Sequence, residues 1–245
     1  NVAERSNLRI HSYEKVTSLK NENNKFNVLT EKFTGEEQSY EAEQVIIATG
    51  YYDQPNYMNI PGEELPKVHH YFKEGHPYFN KNVVVIGGKN SAVDAALELH
   101  KAGAHITVLY RGDNYSKSIK PWILPDFDSL VRKDIIRMVF KAEVLKITNE
   151  AVYYQIEDKE YKIANDFVFA MTGYRPDVKL IKEIGVQFNP ENGKPIYDEG
   201  TYETNIEGVF VAGVVAAGNN NNEIFIENGR FHGEKIADVI ASRTN

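Results

Sequence analysis

Gly87 and Gly88 stand between an apolar run, Val83 to Ile86, and a segment whose apolar positions recur at Ala92, Val93, Ala96, Leu97 and Leu99. The run reads as a buried strand and the segment as an amphipathic helix that Gly103 stops. Ile106 to Tyr110 reads as a second strand, closed by Arg111. A glycine turn lets backbone approach an anion, and a helix start offers unpaired N–H groups and partial positive charge. Strand, turn, helix and strand in this order grip a dinucleotide diphosphate. The G-x-G-x-x-G/A pattern falls on Gly87, Lys89 and Ala92, so lysine replaces the middle glycine. Gly88 keeps the turn open, Lys89 brings a cation near the diphosphate, and Ala92 is small enough for close packing of helix on strand. Gly87, Gly88, Lys89, Asn90 and Ser91 are therefore expected to cradle the diphosphate. The alternative is an α/β crossover that binds no nucleotide.

The end of the second strand selects the nicotinamide. An acidic residue there accepts hydrogen bonds from a ribose 2′-hydroxyl and suits NAD. This chain has Tyr110-Arg111, followed by Lys117 and Lys120. A guanidinium pairs with phosphate as a permanently charged fork, so Arg111 with Lys117 or Lys120 is expected to hold the 2′-phosphate of NADPH. A solvated basic loop is the competing reading.

The elements that must position these residues belong to a chain of 245 residues, 42% hydrophobic, with net charge −7 and no cysteine. That length exceeds one ordinary domain, and the apolar content suffices for a core. The acidic balance argues against nucleic acid and anionic membrane as partners. No run approaches the roughly 20 apolar residues of a membrane span, and no signal peptide is visible. Without cysteine the chain has no disulfide, thiolate nucleophile or cysteine metal site, which fits a reducing cytoplasm. The opening at Asn1 reads like the inside of a domain, so an N-terminal part is expected to precede it.

Alternation predicts antiparallel strands over Leu8–Lys20, Lys25–Glu31 and Gln38–Ala48, with turns at Asn21–Asn24 and Thr34-Gly35. Residues 51–66 read as a linker, and His69–Phe79 as an irregular aromatic connection. Asp126 or Asp128 is expected to cap a short helix through Arg132. Further strands are expected at Ile136–Ile147, Ala151–Ile156, Glu160–Ile163 and Phe167–Met171, and a helix near Val178–Ile184. A last strand is expected at Val209–Gly213. Asn219–Asn222 reads as a polar loop, and residues 223–243 as a closing helix with Ile226, Ile236, Val239 and Ile240 on its apolar side. An apolar strand followed by a small residue and glycine occurs at Ala48-Thr49-Gly50, Met171-Thr172-Gly173 and Ala212-Gly213. Such strand ends let a ligand approach backbone closely.

With these motifs in this order, the chain resembles the two-dinucleotide-domain flavoprotein reductases, the group that includes thioredoxin reductases. The motifs are Ile47-Ala48-Thr49-Gly50, the 87–92 turn, Thr172-Gly173-Tyr174-Arg175-Pro176-Asp177 and Thr204 to Gly213. The resemblance implies an α/β fold of two Rossmann-like domains, three-layered, with an antiparallel β meander. An FAD domain (1–76 and 179–245) would be interrupted by an inserted NADPH domain (77–178). Two features depart from the family: its own FAD-diphosphate turn would precede Asn1, and Val214 replaces the aspartate that usually follows Gly213. The segments GGKNSAVDAALEL, SIKPWILPDFDSLV and AGVVAAGNNNNEIFIENGRFHG are most similar to bacillithiol disulfide reductases, and no Cys-x-x-Cys of the thioredoxin reductase type is present.

The resemblance implies that NADPH reduces FAD and that reduced FAD reduces a low-molecular-weight disulfide, in a cytoplasmic homo-oligomer. Any redox cysteine would lie before Asn1. Thr49, Gly50 and Tyr51 would lie against FAD, Gly173 toward the nicotinamide, and Gly213 and Val214 near the isoalloxazine and ribityl chain. A flavin monooxygenase and a non-catalytic NADPH-binding module are the alternatives. His69, His70 and His76 fit neither a metal motif nor a triad and are expected to make linker or interdomain hydrogen bonds. His232 is expected to pack. Trp122, between Pro121 and Pro125, would either shield a nicotinamide or substrate or fill a core gap.

Overall fold

The computed structural model describes residues 2–22, 25–220 and 223–244. Asn23, Asn24, Asn221 and Asn222, parts of two expected loops, lie outside the described residues. In chain order the first elements are α1 (Val2–Arg5), β1 (Glu14–Glu22), β2 (Lys25–Lys32), β3 (Glu37–Ala42), β4 (Val45–Ile47), β5 (Gln54–Pro55) and β6 (Val68–His69). Then come β7 (Asn82–Ile86), α2 (Asn90–Lys101), β8 (His105–Leu109), α3 (Leu124–Arg132), β9 (Ile136–Val139), β10 (Glu143–Ile147), β11 (Ala151–Ile156) and β12 (Lys159–Ala164). The chain closes with β13 (Phe167–Ala170), β14 (Tyr174–Arg175), α4 (Lys179–Glu183), β15 (Val209–Val211) and α5 (Ile226–Thr244).

Two compact units result: Pro55–Tyr174, and Asn1–Gln54 with Arg175–Asn245. These limits differ from the expected 76/77 and 178/179. Residues 55–76 join the inserted unit because Met58, Ile60, Leu65 and Val68 pack into its core. β6, expected as irregular chain, pairs in parallel with β13 as the edge strand.

The inserted unit is a five-stranded parallel sheet in the order β6-β13-β7-β8-β9. The four consecutive apolar residues of β7 are explained by burial on both faces. Val83 and Val85 face α2 and α3, packing with Val93, Ala96, Leu99 and Phe127. Val84 and Ile86 face the other way, onto Ile147, Val152 and Tyr154 of the antiparallel meander β10-β11-β12. Helices, sheet and meander form three layers, as expected. The expected strand 136–147 is broken at Lys141, whose φ of 55° no strand accommodates, and its two halves join different sheets. α3 begins at Ile123 without a side-chain cap; Asp128, expected as a cap, pairs instead with Arg132 at 2.7 Å.

The other unit holds the antiparallel sheet β1-β2-β3 and the parallel pair β15-β4. Residues 8–13 are not strand, and the expected strand 38–48 divides: β3 pairs with β2, whereas β4 pairs with β15. Leu19, Phe26, Ile47, Val209, Val211 and Val215 form its core. α5 sets Ile236 in that unit fully buried, but Ile226 is 86% exposed, contrary to the expected apolar side. Near the helix end, Arg243 donates to both carboxylate oxygens of Glu203 at 2.7 and 2.6 Å. This fork outweighs burial, which works the other way, and holds the Glu203 carboxyl below its usual range. No described helix is long and apolar enough to cross a membrane.

Candidate functional site

Within the inserted unit the parallel strands deliver their carboxyl ends side by side, with Ile86 of β7 opposite Leu109 of β8 and Ala170 of β13. The Gly87 turn therefore lies between the Arg111 end of β8 and the Gly173 end of β13. Gly87 has φ 140°, and a Cβ there would stand 2.4 Å from the carbonyl oxygen of Met171. Only glycine fits so tight an exit from a central strand. Gly88 answers to a different neighbour. A Cβ on Gly88 would be 2.3 Å from the Tyr110 ring, and one on Gly112 would be 2.4 Å from the same ring. Tyr110 is thus wedged between two glycines, which fixes where Arg111 leaves the strand.

Lys89 is extended, and α2 starts after it with no side-chain cap. The backbone N–H groups of Asn90 and Ser91 remain open to an anion, and Lys89 is exposed beside them. Glycine turn, uncapped helix start and neighbouring cation fit a diphosphate. Arg111, Lys117 and Lys120 are all exposed, and none forms an ion pair within 4 Å among the described residues. Lys120 is close enough to the half-buried Asp94 to counter part of the burial that raises that carboxyl. The 112–120 segment is anchored by Ile119, which is buried, and by Tyr115, whose ring meets Phe127 and Phe140 edge-on. Burial and a hydrogen bond to Asp128 push the Tyr115 hydroxyl up to about 12.

Asn90 contributes its backbone N–H to that helix start, whereas its side chain is engaged elsewhere. Its amide does not face the open helix start: Nδ2 donates to the Ser118 carbonyl at 2.8 Å and Oδ1 accepts from Lys120 N–H at 2.9 Å. Gly173 is held by a residue that sequence reasoning missed. Asn56 N–H donates to the Gly173 carbonyl at 2.9 Å, and Thr172 Oγ1 donates to the Asn56 carbonyl at 2.6 Å.

In the other unit, parallel pairing of Ile47 with Val211 brings Thr49, Gly50 and Tyr51 to the same sheet edge as Gly213 and Val214. Gly50 (φ 80°) and Gly213 (φ 72°) each leave open space where a Cβ would stand. Backbone there is bare, as close approach by a flat ligand requires. His232, expected only to pack, is 6% exposed and accepts Gly213 N–H on Nδ1 at 3.2 Å. Its ring stacks on Tyr202 at 4.1 Å between centroids. Burial first, and Lys235 second, push the imidazole below its ordinary value, so it stays neutral and able to accept.

Of the other candidate histidines, His69 and His70 lie within the inserted unit, at and just after β6. His69 lies in an aromatic cluster with Tyr78, Phe167 and Phe169. His70 sits 3.9 Å from the buried Glu63, whose carboxylate also accepts Met58 and Asn59 N–H. His76 is exposed. Trp122 is 72% exposed and fills no core gap.

Residues 1–213 match the pyridine nucleotide-disulphide oxidoreductase family. Over 227 residues the chain is 63% identical to bacilliredoxin reductase Bdr of Bacillus subtilis (strain 168), spanning 92% of this chain and 68% of that protein. The solved structure of bacillithiol disulfide reductase Bdr (YpdA) from Bacillus cereus matches with a TM-score of 0.93 and 57% identity, over 99% of this chain and 75% of that one. A thioredoxin reductase from T. acidophilum shares the fold at 24% identity, with a TM-score of 0.77 over 99% of this chain and 78% of its own. On this match and these relatives, the chain belongs to the pyridine nucleotide-disulphide oxidoreductase family.

Proposed function

We propose that the protein is an NADPH-dependent flavoprotein reductase that passes electrons through FAD to a low-molecular-weight disulfide, bacillithiol disulfide. The carrying observation is the group of three exposed cations, Arg111, Lys117 and Lys120, set beyond β8 in the same unit as the uncapped start of α2. In this reading residues 55–174 bind NADPH, and residues 1–54 with 175–245 bind FAD. Gly87, Gly88 and Lys89, with the N–H groups of Asn90 and Ser91, take the diphosphate, while Arg111 and the lysines take the 2′-phosphate. Gly50 and Gly213 offer bare backbone to the flavin, flanked by Thr49, Tyr51 and Val214, and Gly173 lies toward the nicotinamide.

FAD, when bound, accepts a hydride from the nicotinamide and hands two electrons to the acceptor. The overall reaction consumes one NADPH and one proton, breaks one disulfide bond and yields two thiols and NADP. This chain has no cysteine, so its own side chains supply binding and orientation and no thiol. Cysteine-free composition suits a reducing compartment, and we place the protein in the cytoplasm as a homo-oligomer.

Two relatives' names point to different disulfides, one of a small thiol and one of a bacilliredoxin. The test is NADPH consumption by the intact protein in air, with bacillithiol disulfide, glutathione disulfide or a bacilliredoxin–bacillithiol mixed disulfide. A rate that rises with bacillithiol disulfide and not with glutathione disulfide supports the proposal. Stimulation by the bacilliredoxin adduct alone moves the substrate to a protein disulfide. A rate indifferent to every disulfide, following oxygen, overturns the reductase reading.

A further inference from the structure

Asn90 is the first residue of α2, and asparagine there ordinarily bonds to nearby backbone of its own helix end. Here the amide turns away. Both of its ends are engaged by backbone of another segment, the Ser118 carbonyl at 2.8 Å and Lys120 N–H at 2.9 Å. α2 is left uncapped by any side chain. One side chain thus leaves the helix N–H groups open and ties the segment bearing Lys117 and Lys120 beside them. The segment is stiffened from within, since Ser116 Oγ and Ser118 Oγ lie 2.9 Å apart. Ile119, between the tied residues, is buried in the core of the same unit. Lys117 and Lys120 themselves stay exposed. Asp94 is the facing acid, and it draws on Lys120.

We propose that Asn90 is a positioning residue for 2′-phosphate recognition: it holds the Lys117–Lys120 segment against the helix start and so sets the preference for NADP(H) over NAD(H). This rests on the nucleotide assignment above but assigns the selectivity to a side chain that does not itself reach the phosphate. Without the amide, the lysines would have to be ordered at the moment of binding, and only the phosphate-bearing nucleotide would bear that cost.

The test is calorimetric titration of the intact protein with NADP and with NAD, which differ by the 2′-phosphate alone. Asn90→Leu keeps the volume and removes both hydrogen bonds. The NADP-to-NAD affinity ratio is expected to fall by about tenfold or more, the worth of two backbone hydrogen bonds. In a Lys117→Ala/Lys120→Ala background, Asn90→Leu should not change the NADP-to-NAD ratio further, because the groups it positions are gone. Asn90→Ala replaces it if the leucine variant does not fold. Equal losses for both nucleotides, or an undiminished effect in the lysine-free background, would overturn the role of Asn90 while leaving the nucleotide assignment intact. A wild-type protein that binds NADP and NAD alike would overturn both.

Discussion

At the scale of single residues, the two adjacent glycines are required for different reasons. Gly87 is forced by the Met171 carbonyl and Gly88 by the Tyr110 ring. Gly88→Ala alone should therefore destabilise the protein and weaken nucleotide binding, and Tyr110→Ala should restore part of the stability in the double variant. Additive losses in thermal unfolding would show that the ring is not the constraint. Arg111 carries the sharper functional prediction. Arg111→Ala should weaken NADP binding by about tenfold or more, as loss of a charge-assisted hydrogen bond does, and spare NAD. Equal losses would place the 2′-phosphate elsewhere. The strand–glycine turn–helix geometry was legible in the sequence because glycines between a strand and a helix have few other uses. The second partners were not: Tyr110 against Gly88, Asn90 on Ser118 and His232 on Gly213 join residues whose contact depends on how strands end, which no local spacing encodes.

At the scale of elements, β7, α2 and β8 follow from their own residues: a run of apolar residues for a strand buried twice, and helical spacing for one packed face. Leu99, fully buried on the packed face of α2, anchors that packing. Leu99→Ala should cost roughly 2–5 kcal/mol by chemical denaturation, the range for an unrelaxed buried cavity; a loss well below that would mean that the helix is not the keystone of this layer. Elements whose limits depend on remote pairing were misread. β3 and β4 form one continuous alternating run in the sequence, yet their partners, β2 and β15, belong to different sheets. β6 is only two residues long and shows itself only through β13. α5 buries Ile236 and half-buries Val239 and Ile240, as helical periodicity implies, and departs from it only at Ile226, which is exposed at its first turn.

At the scale of the molecule, two compact units arise from one interrupted chain, and residues 55–66, rich in proline and glycine, read as a linker but pack as core. Met58, Ile60 and Leu65 supply that packing. The histidines give the molecule a common pH response. Burial lowers His69, His70 and His232 below their ordinary value of 6.5. In the unfolded chain these groups take up protons at higher pH than in the folded one, so stability is whole above about pH 6.5 and declines as pH falls below it. Thermal unfolding measured between neutral and mildly acid pH should show this decline, and His232→Gln should flatten it; a profile unaltered by the substitution would mean that His232 is not held neutral.

The central claim, that nucleotide electrons reach a disulfide through flavin, is tested most directly without oxygen. The flavin absorbance of the intact protein is followed as NADPH is added and then bacillithiol disulfide. Bleaching by NADPH, much slower bleaching by NADH, and return of the colour when the disulfide is added are the expected outcome. Flavin that bleaches with NADPH but stays bleached until oxygen is admitted would contradict that claim.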